Sequence, residues 1–199
     1  MRAMEAWVGA RGVDCVTLIN AESAAKFKAS GVEFCLQYLG SVTAQGVADI
    51  VAAGLAFMPV TYADRFDGPT TVAELTALGL PTGCTVWLDV EGIGPSMDIP
   101  TLKQKINDWA TTVATAGFQP GMYVGSNAQL TSLELYQLKV VRYWHSLSRI
   151  LDRNGMLAEP SCGFCVHQLF PTVDWSGVEV DMDFIQQDYQ NRLPSWVVA

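Results

Sequence analysis

The feature that most limits what this chain can fold into is a repeated switch: short apolar runs rich in β-branched and aromatic residues alternate with longer stretches of helical spacing. Parallel strands joined by crossover helices produce that alternation, so the pattern predicts an α/β fold. Strands are expected over 13–19, 33–39, 55–62, 85–90, 121–124, 141–146, 164–170 and 178–184, and helices over 21–30, 43–53, 71–78, 99–116 and 127–138. Gly31, Gly54, Gly79 and Gly117 close four of the helices. Asp98 and Pro100 open the long one, after a loop at 92–95. Pro59 lies inside the third strand and reads as a bulge or an irregular strand end, because proline cannot donate to the ladder. The stretch 147–161 reads as irregular, and the residues after 184 as a tail. Eight strand candidates predict a compact (β/α)8 TIM-like barrel, with some helices short or missing because such barrels typically need roughly 250 residues. No linker, low-complexity tract or charge block interrupts the chain, so 1–199 reads as one domain.

Composition narrows the partners. Half of the residues are hydrophobic and only 16% are charged, which suits a folded core rather than a disordered chain. A net charge of −8 has the wrong sign for binding phosphates, and no Lys/Arg stripe offsets it, so nucleic acid is not an expected partner. A neutral glycan remains compatible. No apolar run has the length of a membrane span, and the start of the sequence lacks the apolar stretch and small-residue cleavage site of a signal peptide. The protein is therefore expected to be cytoplasmic as synthesised. Five cysteines, an odd number, argue against a disulfide scaffold, and the CxxC spacing of Cys162 and Cys165 reads as buried thiols more readily than as half of a zinc knuckle.

In a parallel barrel the chemistry lies at the C-terminal ends of the strands, so polar residues there carry the most weight. Asp89 and Glu91 end an apolar strand at spacing i, i+2, which turns both carboxylates to one face roughly 6 to 7 Å apart along the chain. Mutual repulsion would raise one pKa and leave a proton donor beside an anion, the division of labour that glycosidic cleavage requires. Retaining enzymes hold the two carboxyls at roughly 5 to 5.5 Å and inverting ones at roughly 6.5 to 9.5 Å, and rotamers alone bridge that difference, so the stereochemistry stays open. A helix cap or an ion pair at the rim is the plainer alternative for either residue. Asp14 on the first strand would meet Asp181 and Asp183 on the last across the closure of the barrel. Carboxylates clustered in this way also suit a hard cation, although no acidic loop of calcium-binding type accompanies them. Tyr62, Tyr123, Trp144 and Gln168 fall near strand ends, where rings stack on sugars and an amide holds hydroxyls. Each is also an ordinary core residue type. His145 and His167 alternate to the opposite face and read as structural. The sequence contains no Gly-rich phosphate loop, no Ser-centred nucleophile elbow and no HExxH helix.

Taken in order, several segments carry a resemblance: Gly12-Val13-Asp14, Gln37-Tyr38-Leu39, Pro59-Val60-Thr61-Tyr62, Val86-Trp87-Leu88-Asp89-Val90-Glu91, Gly121-Met122-Tyr123-Val124-Gly125-Ser126, Arg142-Tyr143-Trp144, His167-Gln168-Leu169 and Val180-Asp181-Met182-Asp183. Together they resemble the glycoside-hydrolase-like domain of unknown function found in secreted actinobacterial and phage proteins, a relative of the glycoside hydrolase family 25 muramidases. The resemblance implies an active site of Asp14, Asp89, Glu91 and Asp181, with Asp183 a near equivalent. Glu91 would be the general acid, and Asp89 a nucleophile or the residue that orients and polarises a substrate acetamido group. Tyr123 would border the oxocarbenium-like centre. The expectation is a peptidoglycan hydrolase of lysozyme type that needs no cofactor, such as a phage or prophage endolysin released to the wall by another protein. The rival expectation is a barrel that binds glycan or protein without turnover, as a virion or envelope component.

Overall fold

At each passage from strand to helix a side chain caps the helix that follows. Asn20 accepts from the backbone of Glu22 and Ser23 ahead of α1 (Ala21–Ala29), and Thr43 from Gly46 ahead of α2 (Ala44–Ala52). Asp67 does so for α3 (Gly68–Ala77) and Asp98 for α4 (Ile99–Thr115), both with proline in the first turn. The short α5 (Ser132–Tyr136) opens on a capping box between Thr131 and Glu134. Gly117 ends α4 at φ +91°, a left-handed conformation that favours glycine. In this computed structural model residues 1–63, 66–91, 97–125, 129–146, 150–175 and 177–199 are described. The expected loop at 92–95, the start of the helix expected from Asn127, Ser126 and residues 147–149 of the irregular stretch lie outside them.

The strands are β1 (Arg2–Glu5), β2 (Arg11–Cys15), β3 (Phe34–Tyr38), β4 (Ala56–Tyr62), β5 (Thr85–Asp89), β6 (Gln119–Val124), β7 (Arg142–Ser146), β8 (Val166–Trp175), β9 (Val178–Ile185) and β10 (Ser195–Val198). Eight of them close a barrel in the order β4-β3-β2-β9-β8-β7-β6-β5, with β5 returning to β4. The α/β barrel expected from the sequence is present, with five described helices outside it. Its last strand departs from a fully parallel arrangement, since β9 pairs antiparallel with both β8 and β2. Residues 176–177 alone separate β8 from β9, whereas a parallel crossover needs about a dozen residues or more. The helix expected over 127–138 is reduced to α5, where the Thr131 capping box starts it.

Two strands were not expected from the sequence. β1 and β10 pair antiparallel, and β10 joins β4 through Val197 and Phe57. The backbone N–H of Ser195 donates to Thr85 Oγ1 at 2.9 Å, and Trp196 is fully buried, so the supposed tail closes the end of the barrel away from the strand C-termini. Pro59 is not a bulge: it pairs in register with Gln37. The other edge of β4 serves β10 at Phe57 and β5 from Val60 onward, and Pro59 falls at that handover, where a missing N–H removes no ladder bond.

Strand alternation sorts the core into two clusters. Val13, Cys35, Phe57, Val86 and Met122 pack outward against Phe27, Ile50, Ile106 and Trp109 of the helices. Phe34, Leu36, Met58, Trp87, Trp144 and Trp196 fill the barrel. Glycine makes room for two of these. A Cβ on Gly121 would stand 2.5 Å from the Trp87 ring, and one on Gly12 2.2 Å from Phe34.

Candidate active site

The inward residues that end the barrel strands converge on an open cleft of about 630 Å³. The registers bring them there: Asp14 opposite Asp181, Asp89 opposite Tyr123, and Ser146 opposite Gln168. Asp89 ends β5 and is 3% exposed, whereas Glu91, two residues on, is exposed and lines the cleft. Asp89 Oδ1 accepts the backbone N–H of Glu91 at 2.9 Å, and Oδ2 accepts the Tyr38 hydroxyl at 3.0 Å. Burial is the largest cause raising the Asp89 pKa, and the two hydrogen bonds oppose it. The charge of Glu91 contributes less than burial does. The pair is thus divided chiefly by depth, one carboxyl sunk and held, the other at the surface.

A second group spans β2, β8 and β9. Gln168 Nε2 donates to Asp14 Oδ2 at 2.8 Å and to Asp181 Oδ2 at 3.1 Å, while its Oε1 accepts the Tyr123 hydroxyl at 2.6 Å. Thr172 donates to the other oxygen of Asp181. Beneath them, Asp183 Oδ1 accepts the indole N–H of Trp144 at 2.9 Å. Its Oδ2 meets no N–H or O–H donor among the described residues, and the Asp14 carboxyl lies close enough to Asp183 for the two to share a hydrogen bond. Such a pair requires a shared proton. Burial pushes Asp14 from the usual 3.8 up to about 7, with Gln168 opposing, and holds Asp183 well above its usual value.

Of the residues singled out from the sequence, Asp14, Glu91, Tyr123, Gln168 and Asp181 line the cleft, and Asp89 lies directly under it. Asp183 and Trp144, both fully or almost fully buried, do not reach its surface. The reason for Asp183 is strand direction. On the antiparallel β9, Asp183 pairs with Gly12, one inward step below Asp14, so it is deeper than Asp181, not nearer the mouth. Trp144 is two residues short of the end of β7, where Ser146 takes the position at the mouth. A buried indole offers no face to a sugar, and Trp144 instead packs on Tyr123, with ring centroids 4.4 Å apart. Tyr62, 44% exposed, stacks on Tyr38 at 4.3 Å and faces a smaller neighbouring cavity. The amide of Gln168 is committed to three protein partners and so binds the site together.

Tyr38, Ser146, Thr172 and Glu179 also line the cleft and were missed from sequence. Only Tyr38 carried a usable signal: a hydroxyl at the end of a strand whose other inward residues, Phe34 and Leu36, are apolar. The two histidines lie on the outer face as expected. His145 stacks on Phe164 at 4.2 Å, and burial lowers its pKa to about 4; His167 stacks on Phe184 at 4.9 Å. All five cysteines are buried free thiols. Among the described residues no group of three or more His, Cys, Asp or Glu is arranged to hold a metal ion, and no helix is long and apolar enough to cross a membrane.

No protein-family model matches the sequence, and no curated protein matches it. Solved structures do. A family 25 glycosyl hydrolase of Streptococcus pneumoniae, described as a virulence factor participating in host cell invasion, superposes with a TM-score of 0.61 at 12% identity over 89% of this chain and 87% of its own. A family 25 glycosyl hydrolase from Bacillus anthracis gives 0.60 at 11% over 89% of each chain. A muramidase from Acremonium alcalophilum gives 0.57 at 11% over 91% of this chain and 95% of its own. The fold of this chain is that of the family 25 glycoside hydrolases.

Proposed function

We propose that the cleft is the active site of a glycoside hydrolase of muramidase type acting on peptidoglycan. The observation that carries this reading is the Asp89–Glu91 arrangement: an exposed carboxyl whose backbone is anchored by a buried one, over a cleft lined with hydroxyl and carboxyl groups. The fold shared with the family 25 enzymes supports it.

In this reading Glu91 gives its proton to the glycosidic oxygen as the C1–O bond breaks, and a water then adds its hydroxyl to C1 and returns its proton to the Glu91 carboxylate. Asp89, with each oxygen already accepting a hydrogen bond and almost no exposed surface, supports Glu91 and Tyr38 rather than attacking carbon. That argues against the first of its two expected roles, the nucleophile. Tyr123 borders the reacting centre. Burial keeps its phenol protonated, and it stays hydrogen-bonded to Gln168. Asp14 and Asp181 bind hydroxyls on the opposite wall.

The test is release of reducing ends from purified peptidoglycan. Glu91→Gln is expected to lower the rate about 100-fold or more, the usual contribution of a general acid. Equal rates in the two proteins would remove Glu91 from the role. A glycan fragment that binds and is recovered intact from the wild type would replace the enzyme with a binding barrel.

A further inference from the structure

Inward side chains on β5 and β6 alternate in size across their shared ladder. Trp87 pairs with Gly121 and Asp89 with Tyr123; two residues beyond these come Glu91 and Gly125. The Trp87 ring occupies the space a side chain on Gly121 would take, and Phe34 does the same over its register partner Gly12. At the mouth a carboxylate replaces the ring: a Cβ on Gly125 would stand 1.8 Å from Glu91 Oε1, 2.3 Å from Cδ and 2.6 Å from Cγ. Two atoms cannot share that space. Gly125 is not among the glycines at positive φ, so its backbone would accept a side chain, and it is Glu91 that excludes one.

We propose that Gly125 is a positioning residue for Glu91, its bare Cα being the seat across which the Glu91 side chain lies at the edge of the cleft. The proposal rests on the reading of Glu91 as the proton donor. The consequence of adding a methyl group differs from that at Gly12 or Gly121. There a ring locked in the barrel core resists displacement, and the fold is strained. At Gly125 the obstructing atoms, Oε1, Cδ and Cγ, belong to an exposed side chain that can rotate away without displacing the barrel core. Removing a glycine also restricts the unfolded chain, which favours the folded state. Gly125→Ala therefore separates the position of Glu91 from the stability of the barrel.

The experiment compares wild type, Gly125→Ala, Glu91→Gln and the double variant by reducing-end release from peptidoglycan, with thermal unfolding of each and a crystal structure of Gly125→Ala. The expected result is a kcat for Gly125→Ala about 100-fold or more below wild type, with KM changed by about two-fold or less and Tm not lowered. The double variant should be no slower than Glu91→Gln, since both changes remove the same group. A Gly125→Ala kcat within about three-fold of wild type, or a double variant slower by the product of the single effects, overturns the proposal. If the wild type cleaves no glycan, the functional reading fails by itself and the crystal structure decides this one. A displaced Glu91 carboxylate over an unmoved β5–β6 backbone upholds it, and a carboxylate that has not moved overturns it.

Discussion

Asp14 reaches the cleft from a position that is almost wholly buried, bonded to Gln168 and facing Asp183, and burial moves its carboxyl from the usual 3.8 up to about 7. An acid with a raised folded-state pKa binds its proton more tightly in the fold than in the unfolded chain. Its ionisation therefore takes nothing from stability below about pH 4 and progressively more as the pH rises toward 7. Asp14→Asn keeps an acceptor for Gln168 and gains a donor toward Asp183. It is expected to unfold with a free energy roughly 2–4 kcal/mol higher than wild type near pH 8, an advantage that disappears by about pH 4. Urea titrations at the two pH values would check this, and a difference that does not depend on pH would contradict it. At this scale the sequence was readable where a carboxylate interrupts an apolar strand, as at Asp14, Asp89 and Asp181. It was not readable where depth decides, because alternation gives the face of a residue and not its layer. Trp144 and Asp183 point inward as expected, and both stop below the cleft.

Among the elements, the β8–β9 hairpin sets one wall of the site. Thr172, Glu179, Val180 and Asp181 line the cleft from it, and a register shift between Leu169 and Val173 bends it. Its outer end is docked on α1: the Trp175 indole N–H donates to Ser30 Oγ at 3.3 Å, and the ring meets Phe27 edge-on at 6.1 Å. Trp175→Ala is expected to release that end without unfolding the barrel, so hydrogen exchange at 172–175 and 178–180 should accelerate about tenfold or more while Tm shifts by only a few degrees. Unchanged exchange would mean that the ladder alone holds the hairpin. The closing glycines and the Asp98 cap were legible from local chemistry; Asn20, Thr43 and Asp67 cap in the same way, on residues two or three positions away, and were not read, so α3 starts three residues before its expected position. The direction of β9 was hidden by reading its alternation without the length of the connection before it. β1 and β10 were hidden for a different reason. Each is four residues long, and they are defined by a pairing between opposite ends of the chain.

For the molecule as a whole, closure at one end and access at the other define the site. Trp196 stops the closed end, packed on Trp7 with centroids 4.5 Å apart and on Phe34 at 5.7 Å. Trp196→Ala should lower the unfolding free energy by about 3–5 kcal/mol, read by chemical denaturation, and a loss below about 1 kcal/mol would show that the barrel does not depend on this plug. The open end carries the proposed chemistry, and the central claim is that a glycosidic bond is placed against Glu91. The most direct test is a crystal structure of the Glu91→Gln variant soaked with a muropeptide or chitooligosaccharide. The expected result is an intact sugar chain along the cleft, with one glycosidic oxygen within hydrogen-bond reach of the residue 91 amide and an acetamido group toward Asp89. A chain bound elsewhere on the molecule, or lying in the cleft with every glycosidic oxygen out of reach of residue 91, would contradict it.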